Sequence, residues 1–503
     1  MGAVSPDRGS VEQGFTGGRA HGRISAAERP GTVDRDLAAA LLTEFGMDGL
    51  ARLADRGVGA VCAEIDRRIA AIDTELSGQV DAILHHPRFQ RLESAWRSVA
   101  YLVDRIERSD RTKIRLLSVT WAELARDLDR AAEFDQSQVF QKIYSNELDM
   151  PGGEPYGLLI GDFYVQHRPQ RGGVDDVATL RQLSSVASAA FAPLVVGAAP
   201  ELLGLDSFRE LSPTRDLPGL FKQREYSRWR SLQTEDDTRF LGVALPPVLA
   251  RHPYAELPRR DGFRYAEDVS AVDGRGYLWG NPAFAFASVA MRSFEETGWF
   301  ADIRGTHRGE LGGGLVIDLP VLEFGTDAPG VAYRAPTQID ISDEQERALS
   351  ELGLIPLSAS QYTPYLIFYA NQSLLRPKQY DTKIAQTNAR ISAMLHYVLC
   401  VSRFAHYVKI FGREMVGSFI TPEECQRRLQ DWIADYTMAP TGGQDDASLL
   451  ATYPLSEGEV RVREKAGKPG SYHCVMHLRP HYQMDEVVSS LRLSTELAPG
   501  APA

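Results

Sequence analysis

The sequence predicts a mixed α/β protein: an N-terminal helical pair, a middle α/β region and a C-terminal α+β unit. Three observations predict it. Apolar residues recur at helical spacing between residues 58 and 106. Short apolar runs then alternate with helical patterns as far as Arg376. Beyond it, two helical patterns lead into strands of strict period-two alternation. The 503-residue length fits such a division, because single cores stop growing well below that size.

Residues 1–32 are rich in Gly, Ser, Arg and Pro and read as a disordered lead-in. The helical region is expected over 33–110. Its first segment, "DRDLAAALLTEFGMDGL", places Leu37, Leu41, Leu42 and Phe45 on one apolar face. From Val58 a long helix carries Ile65, Ile69, Ile72, Leu76, Val80 and Ile83 on one stripe, and Pro87 ends it. A second helix sets Phe89, Leu92, Trp96, Val99 and Val103 on one face, forming an antiparallel pair joined at "HHP".

The middle region is expected over 111–376. "KIRLLSV" reads as a strand, and Thr120 caps "WAELARDL" with Glu123 closing a capping box. The runs "YGLLIG", "APLVVGA", "RFLGVALP", "GGLVIDLP" and "YLIFYA" read as strands. Between them, "VDDVATLRQLSSVASAA", "PAFAFASVAMRSFEE" and "DEQERALSELG" read as helices. The last region, 377–498, opens with a helix from about Ile384 to Met415. Thr421 caps the next helix, with Pro422 at its first position and Glu424 completing a capping box. The strands "EVRVREK" and "SYHCVMHL" flank a turn, and "SLRLSTEL" is a terminal strand with Leu491, Leu493 and Leu497 on one face.

Composition excludes several functions. The formal net charge is −12, from 67 acidic and 55 basic side chains, and no clustered basic footprint marks a nucleic-acid binder. No apolar run approaches the roughly 20 residues of a spanning helix, so no membrane insertion is expected. The opening residues lack a secretory apolar core, and four scattered cysteines fit a reduced, cytoplasmic protein.

Catalytic and cofactor motifs are missing too. "GGEPYGLLIGDFY" spaces Gly153, Gly157 and Gly161 by four, but neither a dinucleotide fingerprint nor a phosphate loop is present. Glycines beside a strand more often serve tight turns or close packing. His473 and His477 share the polar face of a strand, roughly 13 Å apart at the usual rise, so they read as solvated rather than metal-binding. No cofactor, metal or catalytic residue is assigned, and the protein is expected not to be an enzyme.

Several long stretches carry a family resemblance. "ILHHPRFQRLESAWRSVAYLVDR", "GGEPYGLLIGDFY", "WRSLQTEDDTRFLGVALPPVLARHPY", "LWGNPAFAFA", "SRFAHYVKIFGRE" and "GKPGSYHCVMHLRPHYQ" occur in collinear order. They resemble the large subunit of the type VI secretion contractile sheath, the TssC/VipB/ImpC family. The resemblance implies a structural protein that polymerises with a small sheath subunit (TssB/VipA type) around the Hcp tube, meets a baseplate and contracts to propel the tube. It also implies a gpW/gp25-like, tube-facing C-terminal domain and disassembly by the ClpV ATPase. Relatives carry a longer N-terminal region, so Leu37, Leu41, Leu42 and Phe45 stand as the candidate recognition helix for that ATPase. Val460, Val462, Leu491, Leu493 and Leu497 stand as candidate intersubunit strand positions, the alternative being that they complete their own domain's sheet. The competing readings are a variant sheath subunit, a non-polymerising secretion adaptor and a soluble α/β enzyme.

Overall fold

A computed structural model describes residues 30–106, 111–169, 173–255, 262–263, 265–270, 274–307, 311–323, 333–360, 363–415, 421–438, 447–464 and 472–481. The chain divides into two compact units. One comprises Met1–Val80 with Leu257–Tyr265, the other Asp81–Glu256 with Ala266–Ala503.

Strands Leu194–Ala198 and Leu241–Leu245 are apolar at nearly every position, and every residue in both is buried. Such continuous runs suit a parallel sheet covered on both faces. They form the centre of a four-stranded parallel sheet, ordered Leu159–Val165, Leu194–Ala198, Leu241–Leu245, Ile355–Pro356. Side-chain alternation sends Val196 and Val243 to one face, where Leu180, Leu183 and Val186 of helix Asp176–Ala190 join the same core. Val195 and Ala244 go to the other face, with Ala283, Phe286 and Val289 of helix Pro282–Thr297. Each fully buried aliphatic side chain contributes about 1.5–3 kcal/mol, so this double-faced core dominates the fold.

Local signals explain the helix starts. Thr120 and Glu123 make the expected reciprocal cap on Trp121–Arg130. Asp175 accepts from Ala178 N–H, and Asn281 accepts from Ala283 N–H ahead of Pro282. Helices Val58–Leu84 and Pro87–Ile106 form with their break at His85 and His86. In the "GGEPYGLLIGDFY" stretch Gly153 and Gly161 are close-packing residues, whereas Gly152 stands in open space at φ 80°. A Cβ on Gly153 would collide with the Glu147 carbonyl, and one on Gly161 would stand 2.9 Å from the Val196 side chain.

Three local expectations need correction. Residues 113–119, "KIRLLSV", join no ladder, and none of their main-chain groups bonds to another described residue's main chain. The helix expected from about Ile384 to Met415 is two, Lys383–Ser392 and Leu395–Met415. Between them the chain is held by bonds from Ser373 N–H to Ala393 O and from Leu395 N–H to Asn371 O. Thr421 accepts from Glu424 N–H, but Glu424 turns its carboxylate to Arg428 instead of closing a box.

The runs "GGLVIDLP" and "YLIFYA" supply only Leu315–Val316 and Leu366–Ile367; Leu366–Ile367 is the centre of a small antiparallel sheet, pairing with Leu315–Val316 on one side and Ser358–Ala359 on the other. The hairpin Leu455–Glu464 and Tyr472–Pro480 packs on helix Pro422–Ala434. Its core adds Phe404 from Leu395–Met415 and Trp299, whose rings stack at 4.2 Å.

Candidate functional site

The exposed apolar surface begins on helix Val58–Leu84, which buries none of its residues. Ile69, Ile72, Leu76 and Ile83 of its stripe are exposed, Ile83 by 61%. Helix Pro87–Ile106 buries Ser94, Ser98 and Leu102, with Ser94 Oγ donating to Trp279 O at 3.0 Å. Of its sequence-predicted apolar face, Phe89, Leu92, Trp96 and Val103 are exposed, Trp96 by 62%, while Val99 is half-buried against the cluster of Leu102 and Phe284. Large apolar patches of this kind mark contact surfaces.

Beside that face lies a buried charged cluster. Glu267 receives Arg251 Nη2 at 2.8 Å, Tyr254 N–H at 3.0 Å and lies 3.2 Å from His85 Nε2. Arg251 also donates from Nε to Glu93 on helix Pro87–Ile106 at 2.8 Å. Burial works to raise the Glu267 pKa, but the bonds from Arg251, Tyr254 and His85 outweigh it and hold the carboxyl below the usual range. Through Arg251 the cluster ties Glu267 to Glu93 on helix Pro87–Ile106.

The N-terminal candidates lie on helix Pro30–Ala54. Leu37 belongs to it, Leu41 and Phe45 are half-buried and Leu42 is exposed. The Arg68 guanidinium sits 5.9 Å from the Phe45 ring, and Gly46, at φ 67°, breaks the helix directly after it.

The C-terminal candidates divide. Val460 and Val462 are buried beside Leu429 and Ile433, so their side chains serve their own core. Their main chain has partners as well. Val460 N–H donates to Gln430 Oε1 at 2.9 Å and Val462 N–H to Gln426 Oε1 at 3.0 Å. Gln430 Nε2 returns a bond to Gly458 O at 2.8 Å. Two glutamines four residues apart on Pro422–Ala434 thus occupy the outer edge of the first hairpin strand. Sequence reasoning missed them, although their i, i+4 spacing on a capped helix was available. On Tyr472–Pro480, by alternation, Cys474, Met476 and Leu478 point their main-chain groups away from the hairpin. No strand covers that edge among the described residues. Leu491, Leu493 and Leu497 lie outside the described residues.

Histidines and cysteines offer little chemistry. His477 is exposed on its strand, as alternation requires. His406 Nε2 donates to Ala190 O over 2.9 Å, and burial lowers its pKa to about 4. Among the described residues no group of three His, Cys, Asp or Glu could hold a metal ion, and no helix is long and apolar enough to cross a membrane.

Residues 66–375 match the EvpB/VC_A0108 tail sheath N-terminal domain, and residues 384–497 match the tail sheath gpW/gp25-like domain of the same name. The chain belongs to the VipB/EvpB family of type VI secretion sheath large subunits. It is 40% identical over 436 residues to the type VI secretion system sheath protein TssC1 of Pseudomonas aeruginosa, covering 86% of each chain. Among solved structures it is similar to the contracted sheath complex of the extracellular contractile injection system PVC. That match has 11% identity and a TM-score of 0.37, over 78% of this chain and 90% of the other. The contracted helical sheath of the anti-feeding prophage is similar at 11% identity and a TM-score of 0.31, over 64% and 66%.

Proposed function

We propose that this chain is a structural sheath subunit that co-assembles with a smaller sheath subunit into a helical polymer around a tube, and that contraction of the polymer drives the tube outward. Membership of the sheath family over both of its domains carries the reading. The outward apolar faces of Val58–Leu84 and Pro87–Ile106 support it, since a subunit destined for a polymer keeps such surface for its neighbours. Head-to-tail contacts that do not close a ring build filaments, and a metastable packing of rigid subunits can switch to a shorter one. The protein acts in the cytoplasm, by packing rather than by catalysis, and takes no cofactor.

Electron microscopy of the chain co-expressed with the small sheath subunit tests this. Tubules are the expected result. A monodisperse, thermally stable monomer that ignores that subunit in co-purification refutes it.

A further inference from the structure

Two helices of the second unit open a polar cavity between them. Tyr101, Asp104 and Arg105 follow at helical spacing on Pro87–Ile106, and Ser288, Met291, Arg292 and Glu295 do so on Pro282–Thr297. With Ile317 and Asp318 they line a cavity of about 280 Å³. That is below the roughly 300–1,000 Å³ of a drug-sized site, so the space suits one long side chain better than a cofactor.

Both arginines of the wall are committed. Arg292 donates from Nη1 to Leu315 O and from Nη2 to Gly313 O, each at 2.6 Å. Arg105 donates from Nη2 to Ile317 O at 2.6 Å, meets Asp318 Oδ2 at 3.3 Å and lies 4.3 Å from the Tyr101 ring. Tyr101 Oη also donates to Ile317 O, at 2.9 Å. These bonds fix the loop, and Asp318 stands there at φ 57°, a conformation that residues other than glycine rarely adopt.

Two acids of the wall are not committed. The Asp104 and Glu295 carboxylates take no hydrogen bond and no ion pair among the described residues. Arg111 Nη1 donates to the main-chain O of Glu295 at 3.3 Å and not to its carboxylate, whose Oε1 is sealed from solvent. An unpaired carboxylate on a partly closed wall is costly, and it attracts a cation more strongly there than in open water.

The surroundings narrow the occupant further. Val103, next to Asp104, is exposed by 46% and belongs to the outward apolar face. A free cation gains nothing from such a neighbour, whereas a cationic side chain borne on a polypeptide packs its stem and flanking residues against it.

We infer that the cavity between Pro87–Ile106 and Pro282–Thr297 is a socket for one basic side chain, arginine or lysine, of another polypeptide, whose cationic head lies between Asp104 and Glu295 while its flanking residues cover Val103. The inference rests on the sheath reading only for its source, a neighbouring subunit of the polymer.

The test uses the full chain co-purified with the small sheath subunit, before and after assembly, with butylguanidinium as probe and butyrate as its anionic counterpart. Ligand-observed NMR titration should show saturable binding of butylguanidinium to the unassembled complex. Asp104→Asn with Glu295→Gln should weaken it by about tenfold or more, and Glu423→Gln, at an exposed position of another helix, should leave it unchanged. Asp104→Asn alone, at an exposed position, should weaken it about threefold and serves where the double variant fails to fold. Assembled tubules should no longer take the probe, because the neighbour's side chain fills the socket. A photo-crosslinking residue at Val103 should then join that neighbour beside an arginine or lysine. No saturable binding (a cavity that holds water only), binding of butyrate instead, or equal binding by the variants overturns the inference. So does binding that appears only in Arg108→Ala or Arg308→Ala, which would show the chain's own arginine in the cavity. Tubules that still bind the probe remove the socket and keep the sheath. A complex that binds the probe, crosslinks at Val103 to another polypeptide and builds no tubules keeps the socket and removes the sheath.

Discussion

Glu267 has a fully enclosed carboxylate whose charge is held by Arg251, Tyr254 N–H and His85. Removing one member of such a buried pair strands the other, at a cost of about 3–5 kcal/mol. Glu267→Ala should therefore lower the urea midpoint far more than Arg91→Ala on the exposed side of helix Pro87–Ile106. The folded pKa lies below the unfolded one, so this stabilisation is present above the unfolded carboxyl range and is lost as pH falls through the folded value. The wild-type midpoint should drop on acidification below about pH 4.5 more steeply than that of Glu267→Gln, and parallel pH profiles would exclude this role. Neither Glu267 nor Arg251 stood out in the sequence, because burial and pairing over 16 residues leave no periodic trace. Gly153 and Gly161 were legible as close-packing positions from their place beside a strand. What they approach, the Glu147 carbonyl and the Val196 side chain, depends on chain segments that only folding brings together.

Elements were legible wherever one local pattern decided them. The fully buried strands appear as unbroken apolar runs, and the helices on the two sheet faces appear as helical patterns. Misreadings came where tertiary partners decide. "KIRLLSV" has strand composition, but a strand exists only if another main chain pairs with it. For Pro87–Ile106 helical periodicity gives the apolar face, but it reports amphipathicity and not which side meets a neighbour. Two predictions belong at this scale. Gln426→Ala with Gln430→Ala should leave the Val460 and Val462 amides unpaired, each costing about 1–3 kcal/mol where buried. Faster hydrogen exchange at those two amides checks it, and unchanged exchange would show that the glutamines do not guard the edge. On helix Pro30–Ala54, exposed Leu42 and half-buried Leu41 form an anchor of the kind a groove accepts. Leu41→Asp with Leu42→Asp should abolish binding of the recycling ATPase in a pull-down while tubules still form; retained binding would place recognition elsewhere.

For the whole molecule, the proposed sheath function raises the question of how rigid subunits would stay linked while a polymer contracts. The hairpin offers two edges of unequal availability. Gln426 and Gln430 hold the outer edge of Leu455–Glu464, whereas no strand covers the outer edge of Tyr472–Pro480 among the described residues. Val460 and Val462 anchor the hairpin in its own core, so a ladder built on the second edge would pull against a packed unit rather than a loose ribbon. "SLRLSTEL" has the alternation to supply or receive such a ladder, with Leu491, Leu493 and Leu497 on one face. Main-chain bonds between subunits would persist while the connecting segments bend, because ladder formation is indifferent to the orientation of the bodies it joins. Deleting residues 489–503 should therefore leave the complex with the small subunit intact and abolish its tubules. Size-exclusion chromatography reads the first result and electron microscopy the second. Tubules from the truncated chain would show that the strand is not the link. A truncated chain that fails to fold would show instead that the strand completes its own domain's sheet, and the intersubunit connection would then have to come from surfaces such as the outward faces of Val58–Leu84 and Pro87–Ile106.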